Sequence, residues 1–423
     1  MRATMLRGFA IGTVAVSLAV VGSGTATAMP AIGRVVSTNP VNYTPNINQG
    51  AVFKLAEVNG TLYAGGSFST VTAAAGTTPQ GTVTRNKIVA FNAANGNIST
   101  TFAPVFNGDV WAIVASGASL IVGGNFSTVN GVARRALVKI DATTGAVDPT
   151  FNANLNNNVS EAALVNGRLI VSGIFTKRIL ALNPATGADT GYINVPIAGS
   201  VAANAGAVEV YRFAVNPGGT RLVGVGNFTT VGGAAHSRVF MLNLDATAAS
   251  VSTWNYPPSA QMCAAASIPD YMRDVDFSPD GSYFVTVSTG FVPNNGQIGI
   301  ALCDAAARFE TATLAPVRPT WINYTGGDTL HSVAVSDQAV YVQGHQRWLN
   351  NPQGRDSAGP GALDRPGIGA IDPTSGLALP TWNPTKDRGV GGRDLLVTAR
   401  GLWVASDTNH IGHEARERVA LLP

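Results

Sequence analysis

The residues of this sequence that could do chemistry concentrate at one repeated position. Seven apolar segments of the chain can be aligned, and the same position in them is occupied by Lys54, Ala112, Glu161, Arg212, Asp274, Ser332 and Asp394. Five of these seven are charged, although charged residues make up only 12% of the chain. The position before it adds Arg273, His331 and Arg393. Carboxylates and a histidine gathered in this way could serve as general acids and bases or as metal ligands.

The mixed signs at this position leave two interpretations open. Opposite charges that meet inside a protein can pair and so offset the free-energy cost of their own burial. The cluster is then a structural ion-pair network. The other interpretation is a polar-ligand or metal pocket, in which a hydrolase would use Glu161, Asp274, Asp394 and His331. We predict no cofactor and keep calcium as an alternative for this pocket.

Histidine and serine chemistry has weaker support. The chain has five histidines, and His410 and His413 have the spacing of metal ligands. Zinc needs three or four ligands in one place, so this pair alone predicts no site. Exposed or backbone-bonded loop histidines are the alternative interpretation. The sequence also lacks the G-x-S-x-G pattern of a nucleophile elbow.

A four-part repeat positions the charged residues. Its most recognisable piece is IVGGNFSTVNG at 121–131, which returns as YAGGSFSTV at 63–71 and VGVGNFTTVGG at 223–233. An apolar run precedes each piece, and a tight turn such as Asn59-Gly60 joins the two. Asn-Gly between apolar runs is a strong β-hairpin signal, because both turn residues need a positive φ.

The repeat predicts four strands in each unit. First strands are predicted at 52–57, 110–115, 159–164, 210–215, 272–277, 330–335 and 392–397. Third strands are predicted at 87–92, 136–141, 178–183, 239–245, 298–304, 367–372 and 418–423. Six fourth strands carry one aromatic each, namely Phe102, Phe151, Tyr192, Trp254, Trp321 and Trp382. The seventh is missing at the end of the chain, and residues of about 35–45, with Tyr43, supply it at the front.

This organisation predicts an all-β fold, a seven-bladed β-propeller of four-stranded antiparallel blades. Antiparallel four-stranded units repeated around an axis make a β-propeller. The N-terminal strand completes the last blade, and residues 29–423 form a single domain. The motif glycines let neighbouring blades approach closely. Four phenylalanines are expected to fill the space between blades: Phe68, Phe126, Phe175 and Phe228.

Three stretches of the chain carry a family resemblance. They are MRDVDFSPDGSYFVTVSTG at 272–290, GHQRWLNNP at 344–352 and GLWVASDTNHIG at 401–412. With them, the chain after its N-terminal segment resembles exported β-propeller repeat proteins of the actinobacterial type. The resemblance implies the fold and export. It implies no settled activity and no catalytic residues.

The N-terminus and the cysteines predict an exported protein. Residues 1–28 read as a secretory signal peptide, with Arg2 and Arg7 before an apolar core at 9–22 and an A-x-A site at 26–28. We therefore expect a secreted, extracellular protein. In that compartment Cys263 and Cys303 suggest a disulfide, with two buried free thiols as the alternative. The predicted strands place Cys303 near the far end of a third strand, at a distance from Cys263 that makes the disulfide difficult to form.

The loop lengths and the net charge limit the functions that this chain could have. The net charge is +3 without a basic cluster, so we expect no nucleic-acid partner. We also expect a monomer with no membrane association after signal cleavage. Long loops leave one face of the propeller, and binding usually lies on such loops. The candidates there are His345, Arg347, Trp348 and His410.

These observations favour a non-catalytic, exported binding module. Its long-loop face would recognise a glycan, a peptide or a surface protein. The alternative is a hydrolase with a polar or metal site at the mouth of the central channel. The binding residues expected at that mouth are Lys54, Glu161, Arg212, Arg273, Asp274, His331, Arg393 and Asp394.

Overall fold

The computed structural model describes residues 32–201, 205–260, 263–265, 267–312 and 316–423. The signal peptide predicted at 1–28 lies outside this part of the chain. Within the described residues nearly all regular structure is β-strand, and the one helix is a 3-10 helix at Pro257–Ala260. That part of the chain contains no helix with the length and apolar character needed to cross a membrane.

Seven sheets share one arrangement of three consecutive antiparallel strands, and we number them 1 to 7 in chain order. Their first strands are Val52–Val58, Val110–Ser116, Val159–Val165, Glu209–Val215, Met272–Phe277, Leu330–Val335 and Asp394–Thr398. The second strands are Thr61–Gly66, Ser119–Gly124, Arg168–Gly173, Arg221–Asn227, Tyr283–Ser288, Val340–Gly344 and Gly401–Ala405. The third strands are Ile88–Asn92, Leu137–Asp141, Ile179–Leu182, Val239–Leu244, Ala305–Glu310, Ile368–Ile371 and Val419–Leu422.

A full fourth strand is present in two of these sheets, at Ala249–Val251 in sheet 4 and Trp321–Tyr324 in sheet 5. In four others the fourth position is a single antiparallel bridge: Phe91 with Ile98, Ile140 with Val147, Leu182 with Asp189 and Ile371 with Ala378. The aromatic residues predicted for the fourth strands are nevertheless all buried: Phe102, Phe151, Tyr192, Trp254, Trp321 and Trp382. The outer edge is therefore anchored by side-chain burial more than by a continuous ladder.

The N-terminal segment lies along the outer edge of sheet 7. The amide of Ser37 donates to the carbonyl of Pro423 at 2.7 Å, and the amide of Val41 donates to the carbonyl of Leu421 at 2.9 Å. Among the described residues before Asn46 no strand is assigned, so these bonds take the place of a regular ladder. Val36 is buried beside Trp382, whose indole Nε1 donates to the Val36 carbonyl at 2.8 Å.

The third strand of sheet 5 differs from its prediction. It runs over Ala305–Glu310, whereas the sequence predicted 298–304. Asp304 has a φ of 42° and holds the left-handed position that precedes the third strand, as Arg178 and Arg238 do in sheets 3 and 4. Before it, Ala301, Leu302 and Cys303 are buried outside any strand, whereas Ile298 is exposed. Cys303 therefore lies before the third strand, on the long-loop side.

The sheets surround one axis. Each first strand packs against the first strand of the next sheet, and the first strand of sheet 7 packs against that of sheet 1. Because both faces of every sheet are covered, the second strands are buried along almost their whole length. The phenylalanines predicted to fill the space between sheets are buried as expected: Phe68, Phe126, Phe175 and Phe228.

The two glycines of the repeated motif, Gly123 and Gly124 in sheet 2, have different structural roles. A Cβ on Gly123 would lie 2.6 Å from the Val159 Cγ1 of sheet 3, so this glycine allows the close approach between sheets that the sequence predicted. A Cβ on Gly124 would lie 1.9 Å from the carbonyl oxygen of Asp109, within its own sheet. The second glycine therefore accommodates an irregularity at the start of the first strand, a role the sequence analysis did not assign.

The long loops form short ribbons. The connections between second and third strands contain paired strands at Thr70–Thr72 with Thr82–Thr84, Thr128–Val129 with Val132–Ala133, Thr230–Val231 with Ala234–Ala235, Trp348–Leu349 with Leu363–Asp364, and His410–Ile411 with Glu414–Ala415. Two of these ribbons gain a third strand from the segment before a first strand, at Asn46–Ile47 and Ile197–Ala198. This face is therefore an ordered rim around the axis.

Candidate functional site

A β-bulge at the start of the first strands builds the site. In sheet 1, Val52 pairs with Gly66 and Lys54 with Gly65, which leaves Phe53 as the extra residue. Sheets 2 to 6 have the same shift at Trp111, Ser160, Tyr211, Arg273 and His331. In sheet 7, Arg393 directly precedes the strand. A bulge redirects the side chain of the extra residue, so two consecutive residues of each strand reach the axis.

These residues form two layers. The outer layer, which we call the mouth ring, consists of Phe53, Trp111, Ser160, Tyr211, Arg273, His331 and Arg393. The inner layer, the floor ring, consists of Lys54, Ala112, Glu161, Arg212, Asp274, Ser332 and Asp394. The floor-ring residues pair with equivalent positions of the second strands, from Gly65 in sheet 1 to Ala405 in sheet 7. The alignment made from the sequence therefore selected equivalent positions.

Ion pairs connect the floor ring. The ammonium of Lys54 lies 2.8 Å from Glu161 Oε2 and 3.7 Å from Asp394 Oδ1. Arg212 Nη1 lies 3.5 Å from the same Glu161 oxygen. All four side chains are mostly buried, so their charges are screened little by water. The structure thus brings these predicted residues together as an ion-pair network.

The floor carboxylates also accept backbone hydrogen bonds from strands. Asp394 Oδ2 accepts from the Leu55 amide at 2.8 Å, and Asp274 Oδ2 accepts from the Val333 amide at 3.0 Å. Each bond joins one sheet to the next. Burial raises the pKa of Asp274 to about 7, against the opposing effect of Arg212. Burial also raises the pKa of Asp394.

Above the floor lies a cavity of about 380 Å³ that opens where the first strands begin. Because the second strands end at the same edge, this is the long-loop face. All seven mouth-ring residues line the cavity, together with Asp109, Asn158, Ile174, Glu209, Arg212 and Gly392. Aromatic rings make much of its wall, and the rings of Tyr211 and Tyr271 lie 5.0 Å apart at its edge.

Arg273 and His331 form a pair within the mouth ring. The Arg273 guanidinium donates to His331 Nδ1 through Nη2 at 2.8 Å and through Nε at 3.1 Å. Its Nη1 donates to the Tyr271 hydroxyl at 3.1 Å. Burial, with the charges of Arg273 and Arg393, lowers the pKa of His331 well below its usual value. His331 is therefore neutral and holds the arginine in place.

The remaining charges of the mouth are Arg393 and Glu209. The Arg393 guanidinium lies 5.5 Å from the centre of the Phe53 ring, and its buried Nε has no hydrogen-bond partner among the described residues. The Ser160 hydroxyl donates to Glu209 Oε1. Burial raises the pKa of Glu209, and nearby arginines oppose that rise.

The other predicted residues of the long-loop face are only partly brought together. His345 lies beside the mouth, with its ring 5.7 Å from that of His331. Arg347 forms its own pair with Asp328 at 2.9 Å and lies 4.4 Å from the centre of the Trp348 ring. His410 is exposed and contacts Asp387 at 2.9 Å.

No metal cluster is found at the mouth in the part of the chain that the structure describes. The one group of three His, Cys, Asp or Glu side chains with ligand atoms within 4.8 Å of one another is Cys263, Asp270 and Cys303. The two sulfurs of this group form a disulfide, which the sequence suggested. Their Cα atoms are 5.8 Å apart because Cys303 lies before the third strand rather than at its far end.

Sequence reasoning missed the aromatic part of the site. Phe53, Trp111 and Tyr211 occupy the same aligned position as Arg273, and this column of the repeat was the available signal. Only its charged members were selected. Glu209 was also missed, because it lies one position before the apolar run that defined the fourth repeat.

Comparison with known proteins supports the fold. Residues 119–151 match a family described as "Domain of unknown function (DUF5122) beta-propeller". No curated protein matches the chain. A chain in the crystal structure of the mitotic checkpoint complex is similar over 99% of this chain and 98% of its own, with a TM-score of 0.53 and 13% identity.

Two further solved structures are similar at lower levels. The Swd1 β-propeller domain of Myceliophteria thermophila has a TM-score of 0.49 and 9% identity over 87% of this chain and 96% of its own. The computationally designed Ika8 protein has a TM-score of 0.48 and 10% identity over 92% of this chain and 99% of its own. The family match supports a β-propeller repeat at residues 119–151, and the packing of the sheets is consistent with that all-β fold.

Proposed function

We propose that this protein is an exported seven-bladed β-propeller whose last blade is completed by the N-terminal segment. Seven equivalent sheets support the blade number, and the packing of sheet 7 against sheet 1 supports closure. The bonds from Ser37 and Val41 to the last strand support completion by the N-terminus. In this proposal residues 29–423 form one domain of a secreted, monomeric protein.

We propose further that the propeller is a non-catalytic binding module with its ligand site in the mouth ring. One observation carries this proposal: an aromatic-walled cavity of about 380 Å³ lies above a floor whose charges are paired with each other. Concave sites with apolar walls and a few convergent polar groups are the usual form of small-ligand sites. The ligand would be a glycan, a peptide or an exposed part of a surface protein.

The floor carboxylates are poor candidates for acid–base catalysis. Glu161 and Asp394 are held by Lys54, and Asp274 is held by backbone amides. His331 already accepts a hydrogen bond from Arg273. A hydrolase remains the second candidate because Glu209 is a carboxylate of raised pKa within the cavity, which is a property of general acids.

Glycan and peptide arrays test this proposal. We expect the wild-type protein to bind a subset of array members and the Trp111→Ala variant to lose about tenfold or more in affinity, because buried aromatic side chains dominate binding free energies. The exposed-site variant Asp245→Asn serves as the control. Mass spectrometry of released ligands should find them intact. Cleavage that disappears in Glu209→Gln would instead establish the hydrolase, and unchanged binding by Trp111→Ala would place the site elsewhere.

A further inference from the structure

Two guanidinium groups at the mouth have no carboxylate of the described residues at salt-bridge distance. Arg273 donates to the Tyr271 hydroxyl and to His331 Nδ1, and neither acceptor is a carboxylate. Arg393 lies over Phe53 and has a buried Nε without a partner. No carboxylate of the described residues lies within 4.0 Å of either guanidinium.

Two other partly buried arginines of this face have a carboxylate partner, whereas Arg85, Arg178 and Arg365 donate to backbone carbonyls. Arg212 lies 3.5 Å from Glu161, and Arg347 lies 2.9 Å from Asp328. A partly buried charge without a partner costs free energy, which a bound anion would recover. The planar guanidinium matches the two oxygens of a carboxylate. The unpaired arginines therefore fit a carboxylate of a ligand.

A ligand that carried only a carboxylate would offer no hydrogen-bond donor to Glu209. Glu209 lines the same cavity, and its Oε2 accepts no hydrogen bond from the described residues. A simple anion would be repelled by this group, whereas a hydroxyl group could donate to it. A ligand that pairs with both the arginines and Glu209 carries a carboxylate and at least one hydroxyl group.

The walls define the body of the ligand. Phe53, Trp111 and Tyr211 come from three different sheets and line one cavity. Flat aromatic faces suit a ring with an apolar face, and the cavity volume suits a small ligand or the terminal unit of a chain.

We propose that the mouth ring binds a hydroxylated six-membered ring bearing a carboxylate, with the carboxylate held by Arg273 and Arg393 and a hydroxyl group by Glu209. This inference rests on the proposed binding function and specifies its ligand. Two sources share this chemistry, the hexuronate units of acidic glycans and free aromatic hydroxy acids.

Titration calorimetry with matched probes tests the inference. The acids are methyl β-D-glucuronide and 4-hydroxybenzoate, and their neutral counterparts are methyl β-D-glucoside and 4-hydroxybenzyl alcohol. We expect at least one acid to bind the wild-type protein about tenfold or more tightly than its counterpart, since hydrogen bonds between charged groups are the stronger ones. Whichever acid binds identifies the source.

Variants locate the bound carboxylate. Arg273→Gln and Arg393→Gln should each weaken binding of the acid about tenfold to a hundredfold. The exposed Arg135→Gln should bind as the wild type does. Circular dichroism confirms folding, and Arg273→Lys replaces Arg273→Gln if the latter does not fold, with a smaller loss expected because the fork geometry is lost but the charge is kept.

The outcomes separate this inference from the proposed function. Equal binding of acid and neutral probe, or acid binding that both arginine variants retain, overturns the inference. If Trp111→Ala still abolishes that binding, the mouth remains the ligand site. Failure of both acids to bind at millimolar concentration also overturns the inference, and the array result then decides the binding function independently.

Discussion

The ammonium of Lys54 in sheet 1 lies 2.8 Å from the carboxylate of Glu161 in sheet 3, two sheets away around the axis. The equivalent position of the intervening sheet 2 is Ala112, whose small side chain leaves room for this pair. On its other side Lys54 approaches Asp394 of sheet 7. A single cation thus links three sheets, including the first and the last.

Removing this cation should destabilise the ring. Lys54→Met leaves Asp394 without its cation and Glu161 with Arg212 alone, and we expect a loss of about 3–5 kcal/mol in the free energy of unfolding. Guanidinium denaturation at pH 8 measures it. The control is Lys177→Met, which breaks the exposed pair with Asp189 and should cost no more than about 1 kcal/mol. Equal losses of unfolding free energy in the two variants would show that the floor-ring ion pairs stabilise the protein no more than an exposed pair does.

Stability should depend on pH through Asp274. Its pKa in the folded protein is raised to about 7, so between pH 4 and 7 the folded state holds a proton that the unfolded state releases. The contribution of this group is therefore full at pH 4 and falls as pH rises to 7. Asp274→Asn should reduce the slope of that part of the denaturation profile, to which Asp276 contributes with the same sign because burial raises its pKa to about 8, whereas exposed Asp245→Asn should leave the slope unchanged. An unchanged slope in Asp274→Asn would contradict the buried, protonated carboxyl.

The second motif glycine should resist substitution. In Gly124→Ala the new methyl group meets the Asp109 carbonyl at 1.9 Å, so the strand start must shift. We expect a loss of about 1–3 kcal/mol or more in unfolding free energy. Gly33→Ala is the matched control, because no atom lies within 4 Å of a Cβ there. Thermal melting compares the two, and a neutral Gly124→Ala would mean that the bulge is not a fixed feature.

The disulfide should pin the segment around Cys263 to sheet 5. It closes a loop with a sequence separation of 40 residues, so Cys263→Ser with Cys303→Ser should cost about 3–4 kcal/mol by the chain-entropy estimate. We also expect limited proteolysis to cut first within 255–270. The wild-type protein under reducing conditions should show the same cleavage pattern as the double variant. Cleavage that begins at another loop would argue against this role.

The N-terminal segment should be needed for stability. Val36→Asp places a carboxylate in the apolar cluster around Trp382 and should cost several kcal/mol in the free energy of unfolding. Exposed Arg34→Asp makes a similar acidic change outside the cluster and should be nearly neutral. Chemical denaturation of both variants measures the difference. Similar stability of the two would show that the segment does not complete sheet 7.

More of the fold than of the candidate site could be predicted from the sequence. Hairpin turns located the first and second strands of all seven sheets, and the second strands have the clearest apolar runs because both of their faces are buried. The third strand of sheet 5 was misplaced because its residues, AAARFE, carry little apolar signal beside the preceding IGIALC. That stronger run suggested the strand, whereas in the structure it forms none and only Ala301, Leu302 and Cys303 at its end are buried.

The site was predicted in outline because the repeat register places equivalent residues on one axis. The floor ring followed directly from that register. The mouth ring followed only at Arg273, His331 and Arg393, since a bulge turns the extra residue toward the axis and strict alternation would turn it away. The unpaired state of Arg273 and Arg393 depends on contacts between sheets, which the sequence does not specify.

A crystal structure of the protein with the tightest array ligand tests the binding site most directly. We predict electron density for the ligand within the mouth ring, in contact with Trp111 and Tyr211. Density at another surface would contradict the account, for example in the groove lined by Tyr256, Pro257 and Pro258 on the outside of the sheets.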